Sequence, residues 1–350
     1  MITSLDAKYT DPLRRFWITD NLPHYDAYNK KLSVKCNKNV TVCRDGNFVE
    51  AEIGKNNKAI YLGHFLNIWG HCITDNLSRL WYLKTDECKY LQKNGYKLVC
   101  TIYKSQFLLP NFIELLDLCD IDAHQIQIIN VDETFTELII PDRAFDEKHL
   151  YHYLFTTIID TIVSKIEYND KLPKKLYFSR VKLHTKRDFG EQYVEDVFRK
   201  LGYEIVYPEK HSLIEQLSML KSCDSFAATE GSVSHNIMFC RNGIESIVIR
   251  KTVSLNGYQF SANAMRQCCC VYIDAHLSLF FVFRDFGPFF IYVNDNLVRF
   301  ANDRGVRIRK KFPRLTFIHY MLKCIWYCVR YRQKLKPIIR DFDFYKQRLK

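Results

Sequence analysis

The sequence predicts an α/β protein of two domains followed by a basic helical tail. Three observations carry that expectation. Residues 175–250 alternate short β-rich runs with amphipathic ones, the pattern of a parallel sheet covered by helices. A polar, proline-containing stretch, YNDKLPKK (168–175), interrupts a chain of 350 residues, a length that suggests about two domains. The net charge of +12 lies wholly after residue 302, where 15 Lys and Arg accompany 3 Asp and Glu. The expected units are residues 1–168, 169–302 and 303–350.

In the first unit, SVKCNKNVTVC and AIYLGHF are extended runs leading to WGHCITDNLSRLW (69–81). At helical spacing His71, Asp75 and Arg79 share one side, and Trp69, Ile73, Leu77, Leu80 and Trp81 cover the neighbouring one. Two readings fit. One is a surface helix with an ion-pair ladder. The other is a catalytic base held by its neighbours, because histidine titrates near neutral pH and a carboxylate one turn away can orient it or act itself. His64, in YLGHF, is expected where a strand runs into its loop. KLVCTIY then reads as a buried strand after an NGY turn. Residues 106–119 read as a helix starting near Pro110, QIQIIN and TELIIP as strands, and 147–167 as a long helix.

The second half gives strand KLYFSR, helix 190–201 ending in Gly202, strand YEIVYP, helix SLIEQLSMLKSC, strand DSFAAT, short helix SVSHNIMFC and strand ESIVIR. Open parallel sheets collect ligands beyond the carboxyl ends of their strands. Arg180, Glu209 and the junction AATEGSVSHN (227–236) fall there. At Glu230, Gly231 and Ser232 a strand opens into a helix, where glycine admits a ligand to the backbone and free N–H groups suit a phosphate. A plainly capped helix has the same sequence, and neither G-x-G-x-x-G nor a Walker loop is present. The fork of Arg180 suits a diphosphate, with an interdomain salt bridge as the alternative, and Lys182, Lys186 and Arg187 follow it. Glu209 is placed to take two ribose hydroxyls, while Glu215 and Gln216 cap or brace the next helix.

Composition excludes several classes. A chain that is 47% hydrophobic and 15% aromatic is not disordered. Residues 1–302 carry 36 basic and 36 acidic side chains, which argues against a general nucleic-acid surface. The 13 cysteines are odd in number and lack paired C-x-x-C spacing, as expected of reduced cytosolic thiols in core positions. MITSLDAKYTDPLRRFW has no apolar region of a signal peptide, and no run of about 18 apolar residues suggests a spanning helix. The D-x-D triplets Asp120–Asp122 and Asp341–Asp343 are read as incidental.

Taken in order, GHCITD (70–75), YFSR (177–180), RDFGE (187–191), EKHSLIEQ (209–216) and EGSVSHNIMF (230–239) resemble glycosyltransferase family 61, including its bacterial capsular polysaccharide biosynthesis proteins. The resemblance covers roughly residues 60–250. It implies a GT-B architecture, two Rossmann-like domains facing across a cleft, the first for the acceptor and the second for the nucleotide sugar. It implies an inverting transferase that uses a nucleoside diphosphate sugar, expected to be UDP-linked, and no metal. The acceptor would be a glycan or lipid-linked hydroxyl in surface polysaccharide synthesis. His71 becomes the first candidate for the base, with Asp75 as its orienting partner or as the base itself. Arg180, Ser232, His235 and Asn236 carry over to the nucleotide-sugar site, which Arg187, Glu209, Glu230 and Gly231 complete. Many members have histidine where this chain has Glu230, and here a histidine stands instead at His235. The competing readings are a nucleotide-sugar epimerase, a non-sugar transferase of the same fold, and a non-enzymatic membrane-binding module.

In the tail KFPRLTFIHYMLKCIWYCVRYRQKLK (311–336), Phe317, Ile318, Met321, Leu322, Ile325, Trp326 and Val329 recur at helical spacing. Lys323, Arg330, Arg332, Lys334 and Lys336 supply charge. An amphipathic helix lying on an anionic membrane fits this pattern, and so does a terminal helix packed on the first domain. The membrane reading puts the protein in the cytoplasm, peripheral at the inner face of the plasma membrane.

Overall fold

The computed structural model describes residues 2–3, 23–25, 31–33, 39–44, 46, 48–51, 57–146, 150–183, 188–252, 256–277 and 287–331. Arg187, Arg332, Lys334, Lys336 and the Asp341–Asp343 triplet lie outside them. The chain divides into an amino-terminal unit, Asp6–Glu167 with Gly257–Met265, and a carboxy-terminal unit, Met1–Leu5, Tyr168–Asn256 and Arg266–Lys350.

The amino-terminal unit is built on a parallel sheet of β1 (Lys58–Phe65), β2 (Lys97–Ile102), β3 (Ile126–Ile128) and β4 (Glu137–Ile139), in the order β4-β1-β2-β3. Every residue of β1 after Lys58 is buried, so the strand reads as an apolar run without alternation. Helix α1 (Asp86–Lys93) precedes β2, and α2 (Pro110–Leu118) begins on its proline, where a missing N–H costs nothing. Helix α3 (Tyr153–Ser164) starts later than the periodicity predicts. His152 is extended and its side chain accepts the Leu154 N–H, which fixes the helix start, while Leu150–Tyr151 pairs with Phe145–Asp146 as a short antiparallel strand.

The expected regular helix over 69–81 differs in kind. It runs as an α-turn (Trp69–His71), a wider π-turn (Cys72–Asn76) and a 3-10 helix (Leu77–Lys84). Polar side chains compete with the regular ladder here. Thr74 Oγ1 donates to the Gly70 carbonyl at 2.8 Å, and the Asn76 amide bonds both the N–H and the carbonyl of Leu66.

The carboxy-terminal unit holds β5 (Lys175–Phe178), β6 (Asp188–Phe189), β7 (Glu204–Val206), β8 (Ser225–Thr229), β9 (Glu245–Arg250), β10 (Cys269–Asp274) and β11 (Phe289–Phe290). Its main sheet has the parallel order β7-β5-β8-β9-β10, with Ile2–Thr3 antiparallel on the outer edge of β10. This is a doubly wound, Rossmann-like order, and the winding reverses between β5 and β8. Helices α4 (Glu191–Lys200), α5 (Leu213–Ser222) and α6 (Asp295–Asn302) accompany the sheet. Tyr177, Val194, Phe198, Ala227, Ile247, Val271, Leu297 and Phe300 form one core. The tail helix α7 (Arg314–Tyr331) packs within this same unit, burying Tyr320 and Cys324 with Phe290. No helix of the described residues is long and apolar enough to cross a membrane, and the described cysteines are free thiols.

Candidate active site

In the amino-terminal unit the chemistry gathers on the π-turn. His71 and Asp75 keep their i,i+4 neighbourhood there, with Nδ1 of His71 2.5 Å from Oδ2 of Asp75. The other oxygen, Oδ1, accepts from the Arg143 guanidinium and from the Tyr258 hydroxyl at 2.6 Å. Arg143 also donates to the Tyr258 oxygen at 2.8 Å. Burial alone would raise the Asp75 carboxyl, but hydrogen bonds from His71 and Tyr258 and the charge of Arg143 outweigh it and hold the group below its usual value. The His71 side chain is 41% exposed, and its Nε2 accepts nothing from the described residues.

Three bonds hold the segment that carries Arg143. Arg79 Nε donates to the Pro141 carbonyl at 2.8 Å, Trp81 Nε1 to the Asp142 carbonyl at 2.9 Å, and the Ala144 N–H to the Ser78 carbonyl at 2.7 Å. Arg79 is therefore buried and does not continue the His71–Asp75 stripe, because the π-turn rotates the following residues inward. Tyr258 comes from the helix Gly257–Met265 and stacks on Phe145 at 5.9 Å. His64 is 8% exposed, bonds Thr101 Oγ1 at 2.8 Å, and borders a cavity of about 450 Å³ lined also by Arg44, Tyr103, Lys104 and Ser105.

In the carboxy-terminal unit a second constellation sits at the strand ends beside the switch point. Arg180 follows β5, Glu230 and Gly231 follow β8, and Lys251 follows β9. Asp188 lies between the cations, 3.4 Å from Arg180 Nη1 and 3.3 Å from Lys251 Nζ. Gly231 has φ +124°, and a Cβ there would stand 3.6 Å from Lys251 Nζ, so a side chain would narrow the space before the cation. Lys251 is 7% exposed; burial lowers its pKa, and Asp188 opposes that shift. Burial raises Glu230 to about 7, against the charges of Arg250 and Lys251. Glu191 accepts the Tyr177 hydroxyl and the Arg180 N–H, and burial, then the charge of Asp188, raises it to about 8.

The sequence-expected phosphate turn takes a different form. The helix after Gly231 is a 3-10 helix of 6 residues, Ser234–Phe239, too short to supply a strong dipole. Ser234 closes the turn, its hydroxyl bonded to both the N–H and the carbonyl of Gly231, whereas Ser232 is half-buried at its rim. His235 and Asn236 are both buried. His235 Nε2 lies 3.4 Å from Asn256 Nδ2, and Asn236 donates to the Val233 carbonyl, so both brace the turn. Glu209 is exposed on the 3-10 turn Pro208–Lys210 after β7. Glu215 completes a capping box with Ser212, and Gln216 holds the Pro208 and His211 carbonyls. Five residues of these constellations went unnamed as candidates from the sequence: Arg143, Asp188, Glu191, Lys251 and Tyr258. Lys251 carried a signal as the residue just past the strand ESIVIR, and Asp188 and Glu191 as members of the RDFGE segment. Asp120 is paired with Lys165, and Asp122 accepts the His124 N–H, so each member of that D-x-D triplet is engaged locally. Among the described residues no three His, Cys, Asp or Glu side chains group to hold a metal ion.

The carboxy-terminal unit thus has a doubly wound sheet with cations at its switch point, and the amino-terminal unit has a carboxylate-held histidine. The family model Glycosyltransferase 61 matches residues 69–248, just over half of the chain, from the start of the π-containing helix into β9. The protein belongs to glycosyltransferase family 61. Comparison with curated proteins finds no significant match.

Proposed function

We propose that the protein is an inverting glycosyltransferase that moves a sugar from a nucleoside diphosphate donor, a UDP-sugar, to a hydroxyl of a glycan or lipid-linked acceptor in surface polysaccharide synthesis. Its two units would work as the halves of a GT-B enzyme, the amino-terminal one for acceptor and base, the carboxy-terminal one for donor. The observation that carries this reading is the His71–Asp75 pair, with both carboxylate oxygens engaged and Nε2 open.

With Nδ1–H donating to Asp75, the lone pair of His71 rests on Nε2. Nε2 takes the acceptor hydroxyl proton as that oxygen bonds to the anomeric carbon. The bond from this carbon to the diphosphate oxygen breaks on the opposite face, which inverts the configuration. The electron pair leaves on the nucleoside diphosphate, and the imidazolium is held against Asp75. Arg180 and Lys251, held apart by Asp188, meet the leaving charge, so the reading is metal-independent. Gly231 and Ser232 would line the diphosphate, and Glu209 would take the ribose hydroxyls. Free thiols fit a reducing compartment, and we place the reaction on the cytoplasmic side.

The test is a thermal melt with UDP, GDP, CMP and ADP, each with and without EDTA. A nucleotide at about 100 times its Kd adds roughly 2.7 kcal/mol to stability. UDP is expected to raise the melting temperature equally in both conditions. His71→Ala should keep that shift and lose about 10²- to 10⁴-fold in transfer rate. No shift with any nucleotide, or full transfer by His71→Ala, overturns the proposal. A shift abolished by EDTA overturns metal independence.

A further inference from the structure

We propose that the carboxy-terminal unit carries a docking surface for anionic phospholipid bilayers, formed by the outer face of α7 and a basic cavity beside its first turn. It stands independently of the transferase reading. Helix α7 has two apolar faces. The inner one, with Phe317, Tyr320 and Cys324, packs against Phe290. The outer one carries Leu315, Ile318, Leu322, Ile325, Trp326 and Val329, all exposed, with Leu315 at 76% and Val329 at 74%. Their steps of three and four residues make one stripe, which from Leu315 to Val329 runs about 21 Å. Single exposed apolar side chains are ordinary; an unbroken stripe of six marks a contact surface.

Charge selects the occupant. From Arg304 to Tyr331 the sequence holds eight Lys and Arg and no Asp or Glu. A cavity of about 520 Å³ is lined by Lys200, Arg307, Arg309 and Lys311 around Tyr193. Val306 and Ile308 are half-buried and pack against the core, while Arg307 and Arg309 are exposed. Asp196, the one carboxylate among the described residues lining the cavity, is bonded by Arg199 at 2.9 Å. Tyr193 Oη lies 3.5 Å from Thr316 Oγ1, next to Leu315, so the cavity adjoins the start of the stripe. Lys323 Nζ sits 4.2 Å over the Trp326 ring, an arrangement suited to the headgroup level. A bilayer of anionic lipids offers acyl chains to the stripe and phosphates to the cavity at once. A second copy of the chain would set these cations against their like.

The test is flotation of the full chain with vesicles of phosphatidylcholine alone or with about 30 mol % phosphatidylserine, at low and high salt. Binding is expected only with the anionic lipid, and is lost in high salt. Trp326 emission should shift to the blue and be quenched by brominated acyl chains, a signal absent from Trp326→Phe. Arg307→Gln with Arg309→Gln should lower partition by about 25-fold, at roughly fivefold for each cation. Leu322→Ser with Val329→Ser should abolish quenching, and circular dichroism melts should show both double variants folded. Equal binding to both vesicle types, no binding, or arginine variants that bind like the parent overturn the proposal. So does a solution dimer that Leu322→Ser with Val329→Ser dissolves while vesicle binding stays absent.

Discussion

Asp75 has both oxygens engaged: Oδ1 takes Arg143 and Tyr258, and Oδ2 takes His71. Its depressed carboxyl is a poor proton acceptor and a good holder of an imidazolium, which in the proposed reaction favours the part-exposed His71 as the base. The His71–Asp75 pair was legible in the sequence because helical spacing reports neighbours four residues apart. Arg143 and Tyr258 were not, lying 68 and 183 positions from Asp75. Glu191 gives the sharpest pH prediction. Its folded value of about 8 stands above the unfolded 4.5, so between these the native state holds a proton that the unfolded chain has lost. Stability through this group is therefore full below 4.5 and declines as pH rises toward about 8. Above about 8 its new charge accompanies Asp188 beside Arg180 and Lys251 and opposes a diphosphate. UDP affinity should then fall by up to about tenfold per pH unit. Glu230, raised to about 7, acts in the same direction at lower pH and stays in the variant. Glu191→Gln should flatten the alkaline limb in calorimetric titrations with UDP while keeping the lower one; an unchanged alkaline slope removes Glu191 from the donor site.

At the scale of elements, the alternation of β5, α4, β7, α5, β8 and β9 was readable because strands buried on both faces are short apolar runs between turns. β10 was not, since CCVYID opens on two cysteines and holds only two β-branched residues, Val271 and Ile273. At the switch point Arg180 stands where the sequence puts it, just past β5. A short 3-10 helix follows Gly231, and the buried Lys251 past β9 adds a second cation that the sequence reading did not name. Gly190 joins this site to its scaffold. It precedes α4 with φ +95°, and a Cβ there would lie 1.9 Å from the Ile291 carbonyl oxygen. That contact closes the β6–β11 pair, in which Asp188 lies opposite Phe289 and the Ile291 N–H donates to Phe189. Gly190→Ala must displace either the start of α4, with Glu191, or the strand that places Asp188. The expected loss is on the order of 3 kcal/mol, from left-handed strain plus the clash. Urea unfolding measures the stability and UDP titration the site; a variant with the parent's midpoint and affinity would show that the approach relaxes freely.

Across the whole molecule, neither unit is one continuous stretch of chain. After β9 and Lys251 the chain gives the 9-residue helix Gly257–Met265 to the amino-terminal unit, then returns to form β10. The excursion brings Tyr258 to Asp75 and buries Phe260, Ala262 and Met265, and the Tyr151 hydroxyl reaches the Ala264 carbonyl at 3.5 Å. A boundary read from composition at YNDKLPKK cannot report it, because its length and apolar content are those of any connecting helix. Its energetic weight is large. Losing a buried Phe or Met side chain costs about 2–5 kcal/mol, and a domain's whole stability is about 5–15 kcal/mol. Residues 1–167 produced alone should therefore unfold with little cooperativity, although every strand of their sheet is present. The same fragment joined through a flexible linker to residues 257–265 should regain a cooperative urea transition, and Tyr258→Phe in that fusion should lower its unfolding free energy by about 1–3 kcal/mol, because Arg143 and Asp75 lose a partially buried hydroxyl. Should the 1–167 fragment unfold cooperatively at the midpoint of the fusion, the excursion serves only to deliver Tyr258 to the site, and its value would lie in chemistry rather than in folding.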